Sequence, residues 1–331
     1  MSSAVLRVLM YHRVIEPSDA SVGNPSVVSA TPHGFQQQVK HLAKHYRVVS
    51  PEQVLEAVRQ ERRLPDRAVL LTFDDGYRDF GEIAWPLLRR YRMPAVLFVP
   101  TAYPDSRKEF WWDRLARAFS FTNRQTIDLA PCGQLALRTP AERQVSARTW
   151  IKRLETLPHE QAMRLVDEVC RELGEARREA GNELTWEELR QLVADGVTIG
   201  AHTRTHAALT QLPLEGVRSE IRSCRQELLQ QLGTLMPIFS YPFGAHDDEV
   251  VEVVRQEGFE LAFTCLHGFN CFPIADALRF HRTNITLRTT PFLFAVRLTT
   301  SGAYADRWRL AAKERRSKRA AVLVRSRREH A

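Results

Sequence analysis

Six apolar, β-branched runs recur along the chain, at Val5–Tyr11, Ala68–Phe73, Ala95–Val99, Val197–Gly200, Ile238–Tyr241 and Leu261–Thr264. Most are separated by segments whose apolar positions recur with helical spacing. Thr31-Pro32 followed by Phe35, Val39 and Leu42 predicts an N-capped amphipathic helix, and Ser50-Pro51-Glu52-Gln53 has the capping-box pattern that opens a second. Thr185-Trp186-Glu187-Glu188 opens another, which runs into a stop at Asp195-Gly196. This alternation predicts an α/β fold, a largely parallel sheet or barrel covered by helices. From Ser106 to about Gly181 it lapses into a charged, helix-rich stretch that begins with FWWDRLARAF, which predicts an inserted helical subdomain or lid.

Composition adds limits. The chain has 331 residues, enough for one large α/β domain with insertions, and no run approaches the roughly 18 apolar residues of a membrane span. The start, MSSAVLRVLMYHRV, is interrupted by Arg7, His12 and Arg13 and does not read as an export signal, so a cytoplasmic protein is expected. The five cysteines are widely spaced with no CxxC pair, which argues against a disulfide framework and a thiolate zinc site. The formal charge of +8 lies entirely between residues 307 and 331, a tail with ten Lys or Arg and two acids; the remaining chain is neutral. A charge so placed argues against a nucleic-acid-binding body. It suits a solvated end, or one that meets anionic lipid at the inner membrane face.

The chemistry gathers where the apolar runs end. VLLTFDDGYRD sets Asp74 and Asp75 side by side after a buried run and before Gly76. Two such acids repel each other and need a cation, a basic partner or water. IGAHTRTH ends a second run with His202 and His206, and FSYPFG ends a third. In parallel α/β folds functional residues collect beyond the carboxyl ends of strands. Two histidines four apart with an aspartate from another strand end make three protein ligands for a metal, with positions open for water and substrate.

TFDDG, HTRTH and FSYPFG, in this order, resemble the motifs of the polysaccharide deacetylases, carbohydrate esterase family 4, also called the NodB-homology domain. VLMYHRV and LTWEELRQLVADGVTIGAHTRTH add to the likeness, which spans roughly residues 5 to 290 outside the insertion. The resemblance implies a distorted (β/α) barrel and metal-dependent hydrolysis of N-acetyl, sometimes O-acetyl, groups on sugars. It implies a catalytic domain over 1–306, interrupted by the helical insertion at about 106–181, with the basic tail over 307–331. It makes Asp74 the general base, Asp75, His202 and His206 the metal ligands, and the Phe243 N–H an oxyanion donor. Zn²⁺ is the first expectation for the ion, with Co²⁺, Ni²⁺ or Fe²⁺ as alternatives.

Two departures follow from the same resemblance. Many relatives carry an arginine where Ser240 stands, to orient the catalytic aspartate; Arg282, in LRFHRTNI, is the candidate substitute. The family's general acid is a late histidine, for which His281 and His267 are the candidates, while a related branch has Leu-Pro-Arg in place of Phe280-His281-Arg282. Tyr241, Pro242, Phe243 and Gly244, with His12 and Trp112, are expected to line the substrate pocket.

The expected substrate is an N-acetylated sugar, oligosaccharide or lipid-linked glycan intermediate. The competing expectations are another metal-dependent amidase or deformylase on the same fold, and a non-catalytic glycan- or polyanion-binding module.

Overall fold

The computed structural model describes residues 4–19, 22, 24–106, 108–174 and 182–299. The strands Ala4–Tyr11, Ala68–Phe73, Val96–Val99, Thr198–Ala201, Ile238–Ser240 and Leu261–Phe263 lie side by side in chain order, each parallel to the next. Parallel neighbours need crossovers, and the intervening helices supply them on the outer face. The extended segment after Leu278 completes the barrel. Phe280 bridges to Phe263 on one side and Thr283–Asn284 pairs with Ala4–Tyr11 on the other.

Because strand side chains alternate between faces, consecutive residues sort into two buried layers. Leu9, Tyr11, Val69, Leu71, Phe73, Leu97, Val99, Ile199 and Phe239 pack outward against the helices. Leu6, Val8, Ala68, Leu70, Val96, Phe98, Ile238 and Leu261 form the interior, with Val54 and Leu55 from the helix Pro51–Arg59. Gly200 belongs to this inner layer for want of space, since a Cβ there would stand 2.5 Å from the Phe98 ring.

The helix starts follow the predicted caps. Thr31 accepts from the Gly34 N–H, and capping boxes join Ser50 to Gln53 and Thr185 to Glu188. The strand limits differ by a residue or two from the apolar runs: Tyr241 and Thr264, read as strand ends, lie just past them.

Between Val99 and the helix Trp186–Ala194, which packs on the barrel again, the chain leaves the barrel. Helices Trp111–Phe121, Pro140–Leu154 and His159–Glu172 enclose an apolar cluster of their own around Phe119, Trp150 and Val166. The antiparallel hairpin Thr126–Leu129 with Gly133–Ala136, which the helical reading of this stretch does not contain, covers one side. Tyr77, from the loop after Ala68–Phe73, belongs to this cluster and joins it to the barrel. All five cysteines are free thiols. The basic segment 307–331 lies outside the described residues.

Candidate metal and catalytic site

The inner layer of the barrel, continued one step past the strand ends, becomes polar. Leu70, Thr72 and Asp74 share one face; Gly200 and His202, Ile238 and Ser240, Met10 and His12, and Phe280 and Arg282 are related in the same way. The side chains that plug the barrel are thus followed, at the same parity, by those of the site. Asp75 escapes this rule because its backbone is left-handed, with φ of 78°, followed by Gly76 at 71°. That turn lets adjacent carboxylates serve one mouth. Thr203, His206 and Phe243 also have positive φ, at 62°, 59° and 56°. Such conformations cost a non-glycine residue about 1–3 kcal/mol and persist where the surroundings enforce them.

Asp74 and Arg282 are both buried and form a bidentate pair, Nη1 to Oδ1 and Nη2 to Oδ2, each 2.8 Å. Arg282 also donates through Nε to the Thr264 carbonyl at 2.8 Å, through Nη2 to Ser240 Oγ at 3.0 Å and through Nη1 to Thr72 Oγ1 at 3.3 Å. Burial pushes the Asp74 pKa up, but the Arg282 charge, His202 and the Arg282 hydrogen bonds outweigh it and hold the group below its ordinary value. Ser240 lies beside the aspartate, accepting from Arg282 and facing Asp74 Oδ2 at 3.4 Å.

Asp75, His202 and His206 are buried together. Asp75 Oδ1 lies 3.5 Å from His202 Nε2 and 3.2 Å from His206 Nε2. One ligand atom from each residue falls within 4.8 Å of the others, the single such cluster among the described residues. His202 Nδ1 meets the Ser240 carbonyl at 2.8 Å, so Nδ1 carries the proton and Nε2 turns its lone pair towards Asp75. Burial lowers the His206 pKa and favours its neutral form. Asp75 Oδ1 has no hydrogen-bond partner. A buried carboxylate oxygen facing imidazole lone pairs is repulsive unless a cation stands among them, so this donor set fits a divalent metal ion.

The other expected residues divide. Phe243 is 37% exposed at the rim, with its ring 4.7 Å from that of His206. Tyr241, expected to face a sugar, is buried instead and donates to the Leu278 carbonyl at 3.0 Å. Pro242 is buried, and Gly244 is required by close approach, since a Cβ would come within 2.8 Å of the Cys265 nitrogen. Trp112 lies beside the site, its ring 4.6 Å from His206, but it is buried and its indole N–H donates to Tyr77 Oη at 2.9 Å. It forms a wall behind the ligand, not an open sugar platform. His281, one residue from Arg282, has the wrong parity: its ring lies against Gly268, and its N–H donates to Asn270 Oδ1 at 2.9 Å. His267 is in the loop before Asn270–Phe272. His12 is near enough for its charge to act on both Asp74 and Asp75.

Residues 61–262, which include Asp74, Asp75, His202, His206 and Phe243, match the family model for polysaccharide deacetylase. The chain belongs to the polysaccharide deacetylase family. It is 19% identical over 266 residues to the "Putative polysaccharide deacetylase YxkH" of Bacillus subtilis (strain 168), which covers 80% of this chain and 66% of that one. It is 47% identical over 51 residues to the poly-beta-1,6-N-acetyl-D-glucosamine N-deacetylase of Escherichia coli (strain K12), 15% of this chain and 8% of that one. The chain thus spans just under two thirds of the first relative and less than a tenth of the second. Its fold resembles that of the Streptococcus pyogenes deacetylase PplD in complex with acetate, with a TM-score of 0.59 and 19% identity over 90% of this chain and 100% of that one. It also resembles IcaB from Ammonifex degensii, at 0.56 and 20% over 89% and 97%. These likenesses establish the NodB-type (β/α) barrel for the chain.

Proposed function

We propose that the protein is a metal-dependent hydrolase that removes N-acetyl groups from a sugar or glycan. The observation that carries this reading is the buried Asp74–Arg282 pair beside the orphaned oxygen of Asp75, which faces two imidazole nitrogens. Binding alone needs no ionised carboxylate held by an arginine next to a ligand triad. In this reading Asp75, His202 and His206 hold the ion, with zinc the first choice and cobalt, nickel or iron chemically acceptable. When bound, the ion polarises the amide carbonyl and makes water more acidic.

Asp74 takes the proton of the attacking water. A carboxylate held below its ordinary pKa is a weak base, so this role suits an acidified water and not bulk solvent. Arg282 fixes both carboxylate oxygens and keeps them ionised. In this reading the Phe243 backbone N–H, in the rim loop, donates to the developing oxyanion. His12, at the inward parity of the first strand and close to both aspartates, delivers a proton to the leaving amine, in place of His281.

The short, strong match to an enzyme named for poly-β-1,6-N-acetylglucosamine makes an N-acetylglucosamine oligosaccharide the first substrate to test. The test is acetate release from a panel of N-acetylated mono- and oligosaccharides and simple N-acyl and N-formyl amides, before and after chelation and metal return. Metal-restored release from the sugars supports the reading. Release from the simple amides alone replaces it with a general amidase or deformylase. Binding without any release replaces it with a glycan-binding module.

A role for the basic segment at anionic headgroups, with a lipid-linked substrate, is a separate proposal. The last described residues lie against the first strand, where Arg7 Nε donates to the Leu298 carbonyl at 2.5 Å. Vesicle flotation with and without residues 307–331 decides it; equal flotation rejects it.

A further inference from the structure

The two histidines of the triad are held in different ways. His202 is oriented by a hydrogen bond from Nδ1 to the Ser240 carbonyl. His206 Nδ1, equally buried, has no hydrogen-bond partner among the described residues. Metal-binding histidines almost always use the second nitrogen to fix the ring, so something else must fix this one. What surrounds it is aromatic: Trp112 at 4.6 Å, Phe243 at 4.7 Å and Phe110 at 6.1 Å between ring centres. Trp112 and Phe110, stacked at 4.5 Å, both come from the insertion and not from the barrel.

Trp112 is itself tied down. Its indole N–H donates to Tyr77 Oη at 2.9 Å, and that hydroxyl donates to Asp113 Oδ2 at 2.7 Å. The other Asp113 oxygen accepts from the Asn24 N–H at 2.8 Å, and the Arg13 guanidinium lies 4.7 Å over the Tyr77 ring. Tyr77 stands two residues after Asp75, so one side chain links the loop of the aspartates to the first turn of the insertion. Two backbone bonds tie the same loop to the segment that follows the insertion, Leu184 N–H to Gly76 O at 2.9 Å and Arg78 N–H to Asn182 O at 2.7 Å.

We infer that Tyr77 and Asp113 are positioning residues for His206: through Trp112 they fix its imidazole against Asp75, so that docking of the insertion sets the affinity of the site for its metal. This inference rests on the proposed metal role of the triad. It makes the insertion part of the metal site without giving it a ligand. The aromatic surround takes the place of the missing hydrogen bond by restricting rotation of the ring.

The test is the dissociation constant for Zn²⁺ and for Co²⁺, by competition with a chromophoric chelator, in the full chain and in Tyr77→Phe, with the visible Co²⁺ spectrum taken alongside. Tyr77→Phe keeps the ring and removes only the hydroxyl. Loss of a group that orients a ligand lowers metal affinity by about 10- to 100-fold, and that loss with a changed Co²⁺ spectrum is the expected result. Trp112→Phe, which keeps an aromatic ring beside His206 but cannot donate to Tyr77, is the second variant should Tyr77→Phe fail to fold. Unchanged affinity and spectrum in a folded variant, even one of lower thermal stability, overturn the inference and leave the metal reading intact. Failure of the wild-type chain to bind either ion overturns both.

Discussion

Arg282 occupies the position on which most of the site depends, because among the described residues it is the cationic side chain that pairs with the buried Asp74 carboxylate. Removing one member of a buried ion pair leaves the other charge uncompensated and costs about 3–5 kcal/mol. Arg282→Met should therefore lower unfolding free energy by about that amount in denaturant titrations and abolish acetate release. Arg282→Lys should keep part of the stability but lose most activity, since a lysine cannot grip both oxygens. The proton-donor assignment makes a contrasting pair. His12→Asn should lower kcat by about 10²–10⁴ through loss of acid catalysis, whereas His281→Asn should leave it within a few-fold. Equal effects of the two would reject His12. The residues whose chemistry is recognisable in isolation, Asp74, Asp75, His202 and His206, were legible in sequence. The parity that separates Arg282 from His281 was not, because residues 281 and 282 lie outside an apolar run and their register is set by the bridge of Phe280 to Phe263 and by pairing with the first strand, more than two hundred residues away. Tyr241 was misread for a related reason: the outward face of that strand end is covered by Leu278, which no local pattern announces.

The insertion carries a pH dependence of its own. Burial pushes the Asp113 carboxyl up to about 7, with Glu109 raising it further and Tyr77, Arg13 and the Asn24 N–H opposing. Burial likewise pushes Glu183 up to about 8, with Asp113 and Glu109 adding to it and backbone hydrogen bonds opposing. Groups with raised folded pKa values contribute stability that is fully present below the unfolded value and lost as pH rises through the folded one. Amide exchange in Trp111–Phe121 should therefore speed up between about pH 4 and 8 relative to the barrel strands, after correction for intrinsic exchange. Asp113→Asn should flatten that difference; a flat profile in the wild type would contradict the burial of these carboxyls. The element boundaries were largely readable, because caps and apolar runs are local. The hairpin Thr126–Leu129 with Gly133–Ala136 was missed, since its strands are short and its residues mostly half exposed or exposed. The Tyr77–Asp113 link was equally hidden, because it joins residues 36 apart through a buried hydroxyl.

At the scale of the molecule, a barrel of parallel strands brings one polar layer to one end, and the insertion walls that layer from the side. The strand–helix alternation was enough to predict this architecture, since sequential parallel strands with crossover helices have few ways to bury both faces of a sheet. What the alternation could not supply is the joining of insertion and site, which depends on tertiary contacts. The central claim is that Asp74 does chemistry on a water at a site built by three other residues. The measurement that tests it most directly is acetate release from an N-acetylglucosamine oligosaccharide by metal-loaded wild type and Asp74→Asn, with metal content determined on the same samples. The account predicts about one ion per chain in both and release only in the wild type. Release by Asp74→Asn at the wild-type rate, or a wild type that releases acetate equally well after its metal has been stripped, would contradict it.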